Sequence, residues 1–192
     1  LISLAFTPIL LSVSPVPSHE TAKPLTLLQI WKASPLGCVG MFLLGGIFSA
    51  QFGMASVYGT QAGLSVAQIS TFVSAFFVGA LVLQFPIGWV SDRVDRRLVI
   101  MVTSAILGVA AIFGAMFGGA FWAVVLSALI VGGMSNPLYS LLLAYVNDYL
   151  DHDAMAGAAG GMVFINGLGA VSGPLIIGWI MGVLGAPGFF IF

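Results

Sequence analysis

Ten residues, Gly88-Trp-Val-Ser-Asp92-Arg93-Val-Asp95-Arg96-Arg97, lie wedged between two long apolar stretches and hold five of the chain's eleven charged residues. A charge cluster this dense cannot sit in hydrocarbon, so it forms a turn at a membrane surface, and the stretches on either side cross the membrane. Three arginines in a chain with only five Lys and Arg mark that surface as cytoplasmic. Composition agrees: the chain is 60% hydrophobic and 6% charged, against roughly 25% charged in a soluble domain. A net charge of -1 without a basic patch speaks against a nucleic-acid partner.

A spanning helix needs about 20 mostly apolar residues. By that measure Leu1 to Val13 is the end of an earlier span, and residues 14–34 are a polar cytoplasmic linker holding His19, Glu20, Lys23 and Lys32. A secretory leader would need a cationic start and a small-residue cleavage site, and the first residues supply neither. Five full spans are expected at about 35–58, 66–90, 98–117, 121–149 and 155–184, with another helix starting at 188. Pro35 suits a first turn, whereas Pro86 is expected to kink the second span. Lys23 and Lys32 precede the first full span, which places that side in the cytoplasm, and counting spans returns Arg93, Arg96 and Arg97 to the same side. Asp148, Asp151 and Asp153 follow, with His152 among them, and acidic residues carry little topological weight. Both ends fall in apolar runs, so the chain reads as a fragment of a longer protein.

Pairs of small residues four apart, Gly114 with Gly118, Gly157 with Gly161, Gly169 with Gly173 and Gly178 with Gly182, are expected to make close helix crossings. Trp89, Trp122 and Trp179 read as interfacial or lipid-facing anchors. Cys38 has no second cysteine to pair with and reads as a small apolar residue.

The charged turn has two readings. Asp92 stands at the end of a helix, where a carboxylate opposes the macrodipole at a cost of roughly 0.3–1 kcal/mol. It therefore calls for Arg93, Arg96 or the positive end of another helix. Gly88, one turn earlier, leaves room for a neighbour. Together they suit a latch between moving parts. The other reading is an anchor that only sets topology, and spacing alone does not separate the two.

Gly88-x-x-x-Asp92-Arg93-x-x-Arg96-Arg97 resembles the signature loop of the major facilitator superfamily, Gly-x-Leu-Ala-Asp-Arg-x-Gly-Arg-Lys/Arg. Val90 and Ser91 stand where that pattern has Leu and Ala, and Asp95 where it has Gly, which bears on the usual tight turn. Gly132-Gly133-x-Ser-x-Pro137-x-Tyr139-Ser140-Leu141-x-x-Ala144-x-x-Asn147-Asp148 is similar to the fourth helix of the second lobe in the YcaD-like branch. The resemblance implies an all-α membrane protein of twelve helices in two six-helix lobes. This chain would hold the end of helix six, the linker, and an incomplete second lobe from residue 35. A first-lobe assignment fits less well, because the fourth span lacks the arginine usual there. The resemblance also implies that Asp92 docks on a helix N-terminus of the N-terminal lobe.

In such a protein the solute sits between lobes near the midplane. Polar mid-span residues are then the candidates: Gln51 and Tyr58, seven apart on one face; Gln84; Asn136, Tyr139 and Ser140, at i, i+3 and i+4; and Asn166. Pro137 frees a backbone carbonyl beside Asn136. Alternatively these side chains bond helices together, at about 0.6 kcal/mol each. Asn147 and Asp148 close the fourth span at its cytoplasmic end. No ionisable residue lies deep in any span, so no proton relay is evident. No metal or cofactor site is expected, and neither is enzyme chemistry, since nothing like His-Glu-x-x-His occurs. The expected function is secondary transport of a small solute by alternating access. Export of a modestly apolar compound fits better than uptake of an ion, and a non-transporting receptor or scaffold is the alternative. The expected setting is a bacterial inner membrane, with the bilayer, the solute and the N-terminal lobe as partners.

Overall fold

The computed structural model describes residues 25–192. The expected partial span, residues 14–24 of the expected linker, and His19, Glu20 and Lys23 lie outside the described residues. In hydrocarbon every backbone amide must be satisfied within its own segment, and the described residues are helical nearly throughout, without strands.

The chain enters through a short helix, α1 (Leu27–Ala33), so the second part of the expected linker is helical. Thr26 and Gln29 form a capping box at its start, and Lys32 lies in its last turn, where a cation complements the dipole. Leu27, Leu28 and Trp31 are exposed on it while Ile30 is buried. The first span, Pro35–Gln61, comprises α2 (Pro35–Ser49), a π-helical turn (Ala50–Met54) and α3 (Ala55–Gln61). Ser34 Oγ caps α2 by accepting from the Gly37 amide at 3.1 Å. The span runs three residues past the expected end and stops before Gly63, whose φ of 71° is open to glycine at no steric cost. A second capping box, Ser65 with Gln68, opens α4 (Val66–Ser91).

Helix α5 (Arg96–Met116) begins two residues earlier than expected. The cause is Asp95, whose Oδ1 accepts from the Arg97 amide at 2.8 Å and so caps the helix. The acid that departs from the family pattern thus makes the turn by starting the next helix. Helix α6 (Phe121–Asn147) ends two residues earlier than expected, α7 (Met155–Leu184) fills its expected range, and α8 (Gly188–Ile191) is the short start of another helix.

Helix α6 is the axis of the bundle. It packs along α4 on one side and α5 on the other, and α2 crosses it while pairing lengthwise with α7. Its apolar stretch is 56% buried, against 22% for those of α4 and α7, which lie at the rim. Two crossings are so tight that backbone meets backbone. A Cβ on Gly79 would overlap the Leu129 carbonyl oxygen, and one on Gly132 would overlap that of Phe76, so α4 and α6 touch without side chains between them. Gly45 on α2 meets Asn166 O on α7, and Gly169 on α7 meets Phe42 O on α2, in the same way. Of the glycine pairs singled out in the sequence, Gly169 and Gly173 lie in this second crossing, whereas Gly178 and Gly182 face open space among the described residues. Gly45, Gly79 and Gly132 make approaches of the same tightness and do not belong to those pairs.

A methyl group at Gly132 must therefore push two helices apart. Gly132→Ala is expected to cost about 1–3 kcal/mol, while Gly119→Ala, in an open turn, stays within about 0.5 kcal/mol. Melting of the two purified variants in one detergent checks the difference.

Candidate functional site

The ten-residue turn resolves its charges unequally. Arg93 folds back on its own helix: Nη1 donates to the Trp89 carbonyl at 2.9 Å, and the guanidinium lies 3.9 Å over the Trp89 indole. That is a cation–π contact, and it takes Arg93 away from Asp92. Arg96 reaches across to the end of α6, where Nη1 donates to Asp148 Oδ1 at 2.7 Å and Oδ2 at 2.6 Å. This ion pair ties the α4–α5 turn to the α6–α7 turn, so both lie at one end of the bundle. Its side chains are 25% and 52% exposed. Water screens such a pair to about 1 kcal/mol or less, so it fixes position more than stability. Two buried atoms beside it, Arg96 Nε and Asn147 Oδ1, make no hydrogen bond. Asp92 and Arg97 are exposed and have no ion-pair or hydrogen-bonding side-chain partner among the described residues. Gly88 faces open space.

The mid-span polar residues fall into two groups. In the first, the side chain holds helices together. Gln51 is 2% exposed, and its Nε2 donates to Ser135 Oγ on α6 at 2.7 Å, which leaves Oε1 buried without a partner. It borders a side groove of about 510 Å³ between the first span, α5 and α8. Asn166 Nδ2 donates to the Met41 carbonyl at 3.1 Å and fastens α7 to α2. Tyr58 is buried against Phe72, Phe189 and Phe190, at centroid distances of 5.2, 4.9 and 5.2 Å. Gln51 lies inside the π turn, so its seven-residue spacing to Tyr58 no longer measures two regular turns.

The second group opens outward. Asn136 and Tyr139 are half-buried, and Ser140 and Gln84 are exposed. Asn136 Nδ2 donates to the Gly132 carbonyl at 3.0 Å, one turn back beside the carbonyl that Pro137 leaves without its usual donor. Its Oδ1 remains available as an acceptor. Phe77, Gln84, Gly88 and Asp92 stand 7, 11 and 15 residues along α4 from the first, so they share one side of that helix. An amide turned toward hydrocarbon costs roughly 2–7 kcal/mol, so this face does not suit lipid. The exposed side of α5, with Met101, Val109, Ile112 and Met116, carries no amide and suits it well.

A row of aromatic rings on the open face went unnoticed in the sequence. Tyr139 lies 6.4 Å from Phe48, Phe48 5.7 Å from Phe52, and Phe52 5.5 Å from Phe77, each pair tilted by only 30–36°. The i, i+4 spacing of Phe48 and Phe52 was the available signal; the link to Phe77 and Tyr139 needs tertiary structure.

The sequence model of the Major Facilitator Superfamily matches residues 37–192. The chain is 30% identical over 185 residues to YfkF of Bacillus subtilis, covering 91% of this chain and 45% of that protein. It is 23% identical over 164 residues to YcaD of Escherichia coli, covering 85% of this chain and 42% of that protein. YE1530 of Yersinia enterocolitica shares 23% over 171 residues, covering 85% and 43%. All three are described as uncharacterized MFS-type transporters, and the chain spans somewhat under half of their length. No solved structure matches. Five apolar helices of membrane-spanning length, a basic turn after the second of them and a family match over most of the sequence agree: this chain belongs to the major facilitator superfamily of integral membrane transporters.

Proposed function

We propose that this chain is the second lobe of a secondary transporter that moves a small solute by alternating access, outward across a bacterial inner membrane. The observation that carries the reading is the continuous open face of α4 and α6. At mid-depth it presents Gln84, Asn136, Tyr139 and Ser140, and at one end the unpaired Asp92 beside the vacant side of Gly88. A face with amides at its centre and an unneutralised carboxylate at its rim is suited to meet another lobe across a polar cavity. The absence of any charged side chain deep in the described spans fits a solute without strong charge.

In this reading the turn works as a latch with divided duties. Asp95 starts α5, Arg96 with Asp148 braces the turn against α6, and Arg93 stays on Trp89. Asp92 is thereby left for the positive N-terminus of a helix in the facing lobe, which would offset its own helix dipole. Gly88 lets that helix approach.

Flux into proteoliposomes holding the full-length protein tests both parts. Asp92→Asn is expected to stay folded and lose about tenfold in flux, equivalent to about 1.4 kcal/mol. Undiminished flux would reduce the turn to a topological anchor. For the brace, Arg96→Asp and Asp148→Arg are each expected to cut flux about fivefold with less than about 1 kcal/mol lost in stability. The double exchange restores most of the flux, and a double exchange as poor as the single variants would separate the pair from transport.

A further inference from the structure

The short helix before the first span carries apolar side chains that the bundle does not use. We infer that α1 is an interfacial helix: it lies in the plane of the cytoplasmic leaflet, with Leu28 and Trp31 among the phospholipid acyl chains and Lys32 at their phosphates. The inference stands apart from the transporter reading. On the helical wheel Ile30, Leu27, Trp31 and Leu28 fall within about 160°, and Gln29 and Lys32 lie on the remainder. The bundle uses one edge of that apolar side. Ile30 is buried over Gly161 on α7, and Leu27 lies beside the same glycine. Leu28 and Trp31, toward the other edge, are 62% and 47% exposed. A helix with an apolar side that carries Trp and Leu, and a polar side that carries Lys, is built to lie in a bilayer interface.

Depth identifies what covers the exposed edge. Gly37, in the first turn of α2, meets Met162 on α7, and Ile30 meets the residue before it, so α1 lies level with the first turn of α2. Helix α7 starts at Met155, about 9 Å further toward the cytoplasm at about 1.5 Å per residue. Helix α1 is therefore sunk below the end of its neighbour. Gly161, Phe164, Leu168, Leu175 and Trp179 follow one side of α7, and the last four are exposed. From Gly161 to Trp179 the helix climbs about 27 Å, close to the roughly 30 Å of a bilayer's hydrocarbon core. Trp31 on α1 and Trp179 thus stand at the two edges of one apolar layer, where Trp is enriched. Lys32 is exposed in the last turn of α1. From there its apolar stem follows the acyl chains while the ammonium stays with the phosphates.

The test uses the full-length protein in nanodiscs of phosphatidylethanolamine and phosphatidylglycerol, with its native cysteines replaced by serine. A bimane label is placed in turn at Leu28→Cys, Leu168→Cys and Asp151→Cys, all exposed positions that the fold tolerates. Quenching is read with aqueous iodide and with lipids that carry a nitroxide either near the head of the acyl chain or near its end. At position 28 the shallow nitroxide is expected to quench about threefold more than iodide. At position 168 the deep nitroxide is expected to be the stronger quencher, and at position 151, in the acidic turn, iodide. A label at 28 that iodide reaches as readily as the one at 151 would put this edge of α1 in water and overturn the inference. A label at 28 shielded from both quenchers would show that protein covers the edge, the facing lobe or the residues before α1, and overturns it equally. Shielding of position 168 from both nitroxides would show that this side of α7 does not meet lipid, which removes the measure of depth and sinks the inference as well.

Discussion

Backbone contact between helices is the interaction on which this bundle depends. Lipid offers helices no hydrophobic reason to associate, since acyl chains are as apolar as leucine; what draws them together is close packing. At Gly79 against Leu129 O, Gly132 against Phe76 O, and Gly45 and Gly169 against the partner backbones, the helices approach until no side chain fits between them. These two crossings, α4 on α6 and α2 on α7, set where every other side chain points. The aromatic row exists because Phe52 on the first span is brought beside Phe77 on α4, and the ion pair exists because the end of α6 is held near the start of α5.

Charge in the described residues is gathered at one end. Lys32, the turn from Asp92 to Arg97, and Asp148 with the acids after it belong to the turns on one side, while the turns at 62–65, 117–120 and 185–187 carry none. Within that cluster the division of labour is geometric. Asp95 is used by a helix start, Arg93 by an indole and a carbonyl, and Arg96 by Asp148. What is left over, Asp92 and Arg97, is what a facing surface could use.

Much of this was legible from the chain itself, and the reasons differ by residue. Spans declare themselves through length and hydropathy, and the signature around Asp92 named the family that the comparisons show. The start of α5 was misplaced by two residues because the apolar run begins only at Leu98, whereas the Asp95 side chain caps the helix ahead of Arg96. The expected linker hid α1, whose Thr26–Gln29 box was legible in principle. Gln51 and Tyr58 were placed on one face by counting in units of 3.6 residues, which the π turn at Ala50–Met54 invalidates. A π turn has no sequence signature strong enough to foresee. The contacts of Gly45, Gly79 and Gly132, and the alignment of Phe48, Phe52, Phe77 and Tyr139, are relations between helices, which periodicity along one helix cannot reveal.

The emptiness of the spans has an electrical consequence. A potential of 100 mV does about 2.3 kcal/mol of work on each elementary charge carried fully across a membrane. Beyond the first two residues of α5, the five spans described here contain nothing ionised for that field to act upon. Tilting this bundle within the bilayer would displace almost no gating charge, so voltage alone has little leverage over its orientation.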